Sequence, residues 1–200
     1  MKFKDMKQAV ELFVTEWDLG EKESGASRRL CAWIYLMEIL EETEQFVYYR
    51  EHGKMLGFAG YSKDNSKKHL VRKKFYTFIK KQLYKSKQIK DLKALKEYED
   101  NYYYVPEELK DYFDGEISML ILDKKCRGRG IGKKLLQEVF DLAKKDNMKN
   151  LQILTDESCT YGIYEKLGCE KVYETIIENK EYGKLGRVLK ERAFIYEKKL

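Results

Sequence analysis

The sequence of 200 residues holds a single proline, two histidines and four cysteines. One proline and 13 glycines exclude a collagen-like or linker-rich polymer. Cys31, Cys126, Cys159 and Cys169 stand far apart, with no Cys-x-x-Cys pair and no histidine cluster beside them. That spacing speaks against a disulfide framework and a zinc site, and no metal is expected. No apolar run approaches the roughly 18 residues of a membrane span. The start, Met1-Lys2-Phe3-Lys4-Asp5, lacks the apolar stretch and cleavage site of a signal peptide. These absences set the expectation of a cytoplasmic protein with free thiols and no membrane partner.

What is present points to a folded enzyme-sized domain. Hydrophobic residues make up 43% of the chain and aromatics 14%, including 16 tyrosines, which excludes a disordered chain. The length fits one domain over residues 1–200. The net charge of +6 is unevenly spread. Between Tyr61 and Lys96, 13 Lys and Arg face only Asp64 and Asp91; from Glu97 to Glu116, eight acids face only Lys110. Such blocks are solvated helix faces or, as the sharper reading, a patch for an anionic ligand or nucleic acid.

Periodicity supplies the elements. Asp5 to Trp17 and Arg28 to Glu42 read as helices. Gln45 to Arg50 and Met55 to Tyr61 read as an antiparallel hairpin around a turn containing Gly53. Lys67 to Lys87 reads as a helix with Val71, Phe75, Phe78, Ile79 and Leu83 on its inner face and a basic opposite face. A short helix follows over about Asp91 to Tyr98, and Pro106 opens another through Phe113. Glu116 to Leu122 is a central strand and Ile131 to Lys145 an amphipathic helix. Leu151–Leu154, Glu170–Ile177 and Ala193–Lys198 complete the strands, with a helix over Thr160–Leu167. The fold class is α/β: a mixed central sheet flanked by helices, with a helical insertion at about 64–114 before the central strand.

The most informative stretch is Leu122-Asp123-Lys124-Lys125-Cys126-Arg127-Gly128-Arg129-Gly130-Ile131-Gly132-Lys133. Glycines between a strand and a helix let the backbone approach a ligand, and the helix start offers free N–H groups to an anion. A P-loop fails, because Arg127 stands where its first glycine belongs and Lys134 where its hydroxyl belongs. The dinucleotide fingerprint fails too, because the glycines make Gly-x-Gly-x-Gly.

Arg127-x-x-Gly130-x-Gly132 in this setting resembles the acetyl-coenzyme A signature of the GNAT superfamily of N-acetyltransferases. Tyr164-Glu165-Lys166-Leu167-Gly168-Cys169 is similar to that family's Tyr-Glu-Lys-Leu-Gly-Phe segment. The resemblance is strong over Glu116–Ile177, follows element order over Asp5–Lys63, and is absent from the insertion. It implies acetyl-CoA as cosubstrate and an acyl transfer to an amine. Ile121 and Leu122 would offer backbone groups to the acetyl carbonyl and pantetheine amides. The N–H groups of Arg127, Gly128, Arg129, Gly130, Ile131, Gly132 and Lys133 would wrap the pyrophosphate, helped by the helix dipole. Tyr164 takes the position of the tyrosine that protonates the departing thiolate in many members.

The chain departs from the family pattern at several positions. Glu157 and Thr160 replace the usual Asn and Ala, which places a carboxylate where the pantetheine arm usually meets an amide. Cys169 replaces Phe, and only Met1–Lys4 remains for the usual first strand. An acceptor ammonium with a pKa near 10.4 needs a base at neutral pH. Glu116, 11 residues before Arg127, matches the catalytic glutamate of the histone-acetylating branch; its plain alternative is a strand-end residue in water. Glu157 is the second candidate base, and His52 and His69 are weaker ones. Cys159 reads as a buried small residue rather than a nucleophile, for want of His or Asp partners. The acceptor is expected to be a small-molecule amine or else a protein amine, walled by Glu21–Arg29 and Tyr102–Tyr104, with the insertion as a lid or homodimer contact. Two other functions compete: a nucleic-acid-associated protein using helix 67–87, and a non-catalytic coenzyme A sensor.

Overall fold

The computed structural model describes residues 1–17, 25–63, 70–87, 89, 96–97, 100–101, 105–181 and 190–200. Helix α1 (Phe3–Glu16) buries Ala9, Val10, Leu12 and Phe13, and α2 (Gly25–Glu42) buries Ala32, Leu36, Met37 and Leu40. These i, i+3, i+4 stripes meet Met55, Phe58 and Ile121 of the sheet in one core. Because α1 starts at Phe3, no strand forms over Met1–Lys4.

β1 (Thr43–Glu51) and β2 (Lys54–Lys63) form the expected antiparallel hairpin. His52 and Gly53 both have positive φ, 48° and 75°, the turn whose twist matches that of the strands it joins. The insertion contributes α3 (Leu70–Leu83). After Pro106 a single 3₁₀ turn, Glu107–Leu109, stands in place of the expected helix through Phe113. The cause is local: the backbone is extended again at Lys110, and Asp111 takes a φ of 62°. The helix expected over Asp91–Tyr98 falls mostly outside the described residues.

β3 (Gly115–Leu122), α4 (Ile131–Lys145), β4 (Asn150–Asp156), α5 (Gly162–Glu165), β5 (Glu170–Glu178) and β6 (Lys190–Lys199) complete the fold. The six strands lie in the order β1-β2-β3-β4-β6-β5. α4 buries Leu135, Leu136, Val139, Phe140 and Ala143 with Ile153, Tyr164, Phe194 and Tyr196 on the sheet face opposite α1 and α2. The phenol of the fully buried Tyr61 donates to Asp146 at the end of α4 (2.9 Å), tying that helix to β2.

α3 does not sit as its apolar spacing predicts. Ile79, Leu83 and Tyr76 pack inward, but Val71, Phe75 and Phe78 face solvent. The inward side also carries ion pairs to α2: the Nζ of Lys80 lies 3.4 Å from Glu38 and 3.6 Å from Glu41, and that of Lys73 lies 3.7 Å from Glu42.

Two irregularities shape the centre of the sheet. β3 and β4 run parallel but share one register pair, Glu116↔Gln152, with no further pair toward their C-terminal ends. Between the pairs Gly60↔Met119 and Ser62↔Glu116, Tyr61 of β2 faces two residues of β3, Ile117 and Ser118. This bulge shifts the alternation by one. Glu116 therefore shares a face with Met119 and Ile121, the side covered by α1 and α2.

Candidate active site

The glycine-rich turn ends in a helix start without a side-chain cap. Asp123 ends the strand and accepts from the N–H of Lys125 (2.9 Å), setting the 3₁₀ turn Lys124–Cys126. Gly128 and Gly130 are left-handed, with φ of 74° and 72°, and Gly130 is the residue before α4. A Cβ at either would meet nothing within 4 Å, so backbone conformation and not crowding requires glycine there. Gly132 has the other reason: its Cβ would lie 3.0 Å from Leu122 Cδ1 and 3.1 Å from Ile163 Cδ1. With no side chain capping them, the first N–H groups of α4 are an anion site, strengthened by the helix dipole.

The two arginines of the turn are not equivalent. Arg129 stacks over Tyr49, donates to its hydroxyl (3.1 Å) and forms a close ion pair with Glu51. That pairing, with the Tyr49 hydrogen bond, pulls the Glu51 carboxyl down to about 2. Arg127 is 71% exposed and meets Glu16 only at 3.7 Å. Sequence gives no sign that Tyr49 and Glu51, some 80 positions upstream, brace the turn. Arg127→Ala is therefore expected to weaken acetyl-CoA binding about fivefold, near 1 kcal/mol, with the loss fading at high salt. Titration calorimetry at two ionic strengths checks it; a salt-independent loss would assign Arg127 to packing.

Beyond Glu116↔Gln152 no β4 residue is in register with β3, so Ile121 and Leu122 border an open notch while pairing with Phe58 and Gly57 on the other side. The two candidate proton carriers lie on opposite faces of this notch. Glu116 stands at its closed end on the α1/α2 face, where the Gln152 amide donates to its carboxylate (3.1 Å). Tyr164 stands on the α4 face, 8% exposed, its ring 5.7 Å from that of Tyr196. Burial, with Cys159, Cys169 and Asp156 nearby, raises its phenol well above the usual value, so it keeps its proton through the neutral range.

Glu157 lies just past β4 and is bound to β6. It accepts from the backbone N–H of Arg192 (3.0 Å) and from its guanidinium (3.1 Å), and these bonds hold its carboxyl below the usual range. Cys159 is exposed rather than buried, because it sits in the turn after β4. Partial desolvation by its neighbours, and then the Asp156 carboxylate, nonetheless raise the thiol above its ordinary value, which leaves little thiolate at neutral pH. His52 is exposed in the hairpin turn. His69, Tyr102–Tyr104 and residues 21–24 of the expected acceptor wall Glu21–Arg29 lie outside the described residues.

Beside the notch, where β4 meets β6, stand residues that no motif announces. Asp156, 2% exposed, accepts from the N–H and hydroxyl of Ser158 (2.8 and 2.5 Å). Glu191, 7% exposed, accepts from the Asn179 amide (3.2 Å); burial and then Asp156 raise its carboxyl. Asp156 pairs with Ala193, two residues from Glu191, and is four from Gln152, so all three share the face of Glu116.

Residues 6–169 match the family model described as the acetyltransferase (GNAT) family. The chain belongs to this family. Solved structures agree at the level of the fold. An N-acetyltransferase from Staphylococcus aureus Mu50 is 16% identical, covering 100% of this chain and 94% of that one at a TM-score of 0.55. PH1933 from Pyrococcus horikoshii OT3 is 20% identical, covering 100% and 93% at 0.57. A ribosomal-protein-alanine N-acetyltransferase from Brucella melitensis is 12% identical, covering 100% and 97% at 0.55. No curated protein sequence matches the chain significantly.

As a GNAT acetyltransferase the protein uses acetyl-CoA, and its residues fit that cosubstrate: an uncapped helix start for a pyrophosphate and an open strand edge for the amides of pantetheine. No group of three His, Cys, Asp or Glu among the described residues is arranged to hold a metal ion.

Proposed function

We propose that this GNAT chain moves the acetyl group of acetyl-CoA directly onto a primary amine, in a ternary complex, with Glu116 as general base and Tyr164 as general acid. The reading takes residues 1–200 as one cytoplasmic acetyltransferase domain carrying an insertion at about 64–114. The observation that carries it is the pair of proton carriers on opposite faces of one open notch. Such an arrangement suits a donor bound from the α4 side and an amine arriving from the α1/α2 side.

Acetyl-CoA supplies an activated acyl group with a thiol leaving group. Backbone N–H groups between Gly128 and Lys133 hold its phosphates, while those of Arg127 and Arg129 donate to the carbonyls of Lys124 and Cys126, and the Arg127 side chain adds an exposed charge. Ile121 and Leu122 orient the acyl end through their backbone. Glu116 takes the proton of the amine, held in place by the Gln152 amide. Tyr164 keeps a proton for the sulfur. Glu157, held by Arg192, steadies the β4–β6 end of the notch rather than removing protons. The buried carboxylates of Asp156 and Glu191 on the face of Glu116 favour an acceptor that arrives as a compact cation, which supports a small-molecule amine over a protein chain.

An amine panel with acetyl-CoA, read by thiol release, tests the proposal. Turnover with a small diamine or amino sugar is the expected result. Turnover confined to peptide N-termini or lysines would replace the acceptor class, and none on any amine would favour a coenzyme A sensor.

Tyr164→Phe keeps the buried ring and removes the proton. A thiol near pKa 8.5 leaves tolerably without help, so kcat is expected to fall about 10- to 100-fold, at the low end of general-acid effects. The KM for acetyl-CoA should hardly change. A kcat within twofold of wild type would leave Tyr164 as packing.

A further inference from the structure

Acetyl transfer does not account for the outward face of the insertion. Helix α3 carries Arg72, Lys73, Lys74, Lys80 and Lys81 and no acid over its 14 residues. Lys73 and Lys80 are turned to the carboxylates of α2, and Tyr76, Ile79 and Leu83 pack on the same inner side. At 3.6 residues per turn, that side held inward sends Leu70, Val71, Lys74, Phe75, Phe78 and Lys81 outward. The four apolar side chains among them are 60%, 84%, 58% and 61% exposed, for Leu70, Val71, Phe75 and Phe78 in turn. They are half of the eight large exposed hydrophobics among the described residues. Scattered single exposures need no explanation, but four on one arc with lysines between them do.

We infer that the outer face of α3 docks on an anionic lipid bilayer. The helix lies along the surface, with Val71, Phe75 and Phe78 at the boundary of headgroups and acyl chains and Lys74 and Lys81 at the lipid phosphates. The charge pattern selects this occupant. A second copy meeting face to face would set Lys74 and Lys81 of each outward face against those of the other, with no acid on either helix to pair them. A nucleic acid would satisfy the lysines but leave most of the apolar side chains in water. A bilayer of negative surface potential takes both kinds of side chain at once. The expectation of no membrane partner rested on the lack of a spanning run; a helix lying on the surface needs none. Among the described residues no helix is long and apolar enough to cross a membrane.

Flotation of the full chain with phosphatidylcholine vesicles, alone or with about 30% phosphatidylserine, tests this docking. Partition is expected to be at least about tenfold stronger on the anionic vesicles and to fall steeply with added salt. Phe75→Ser with Phe78→Ser should lower it about tenfold or more. Lys74→Gln with Lys81→Gln should remove the preference for phosphatidylserine. All of these variants should keep the melting temperature, because the altered side chains are exposed. They should also keep acetyl-CoA binding, since none lies at the turn. Three results would each overturn the inference. One is no partition, or partition indifferent to the phenylalanine changes. Another is a dimer in light scattering that the same changes dissolve while vesicles remain unbound. The third is binding of a single-stranded or duplex oligonucleotide that exceeds vesicle binding at equal salt.

Discussion

Gly130→Glu is expected to weaken coenzyme A binding by about 100-fold or more, because a carboxylate would stand at the anion site of α4. No atom lies within 4 Å of a Cβ at this position, so the side chain has room and the fold survives. The cost to stability is that of a left-handed non-glycine residue, about 1–2 kcal/mol at the φ of 72°. Gly130→Asn separates strain from charge. Asparagine tolerates this backbone region and carries no charge, so the variant should keep coenzyme A affinity within about tenfold of wild type. Titration calorimetry on both variants, beside their melting curves, decides the matter. Equal losses would make the turn's shape the whole effect, and undiminished affinity in a folded Gly130→Glu protein would remove the phosphate from this helix start.

Glu116→Gln should lower kcat/KM by about 10²- to 10⁴-fold at neutral pH, the range of a positioned general base. The change preserves size, and an amide at 116 can still hydrogen-bond the Gln152 amide that now donates to the carboxylate (3.1 Å), so melting temperature should hold. The pH dependence carries the sharper sign. Wild-type activity falls as pH drops and the base takes up a proton. The variant lacks that base and depends on amine that has already lost its proton. With an acceptor pKa near 10.4, its rate should rise about tenfold per pH unit until the amine titrates. Parallel profiles for the two proteins would transfer the base role to another group, with Glu191 next on the same face.

Much of this was legible one segment at a time. The strand, glycine turn and helix from Glu116 to Lys145 could be placed because a glycine demanding positive φ and an apolar stripe at helical spacing are local properties. The hairpin turn at His52-Gly53 was legible for the same reason. Tyr164 was found through its motif, but its burial against Tyr196 and its neighbours on β4 are set by strands that close the sheet afterwards. Asp156, Glu191 and Asn179 could not be grouped in advance, since β6 enters between β4 and β5 out of chain order.

The sequence by itself determined the family, the cosubstrate and the elements that hold it, because these depend on short-range backbone preferences and side-chain periodicity. The tertiary structure alone decided which way three features face. One bulge opposite Tyr61 moves Glu116 to the α1/α2 side of the sheet. The Tyr49 and Glu51 pair on β1 occupies Arg129 and leaves Arg127 as the more exposed of the turn's two arginines. Packing of Tyr76, Ile79 and Leu83, with Lys80 beside Glu38 and Glu41, turns α3 so that its phenylalanines meet solvent, where the apolar spacing had put them on the inner face. Each outcome comes from contacts between residues far apart in the chain, whose register and charge pairing exist only once the sheet and helices have met.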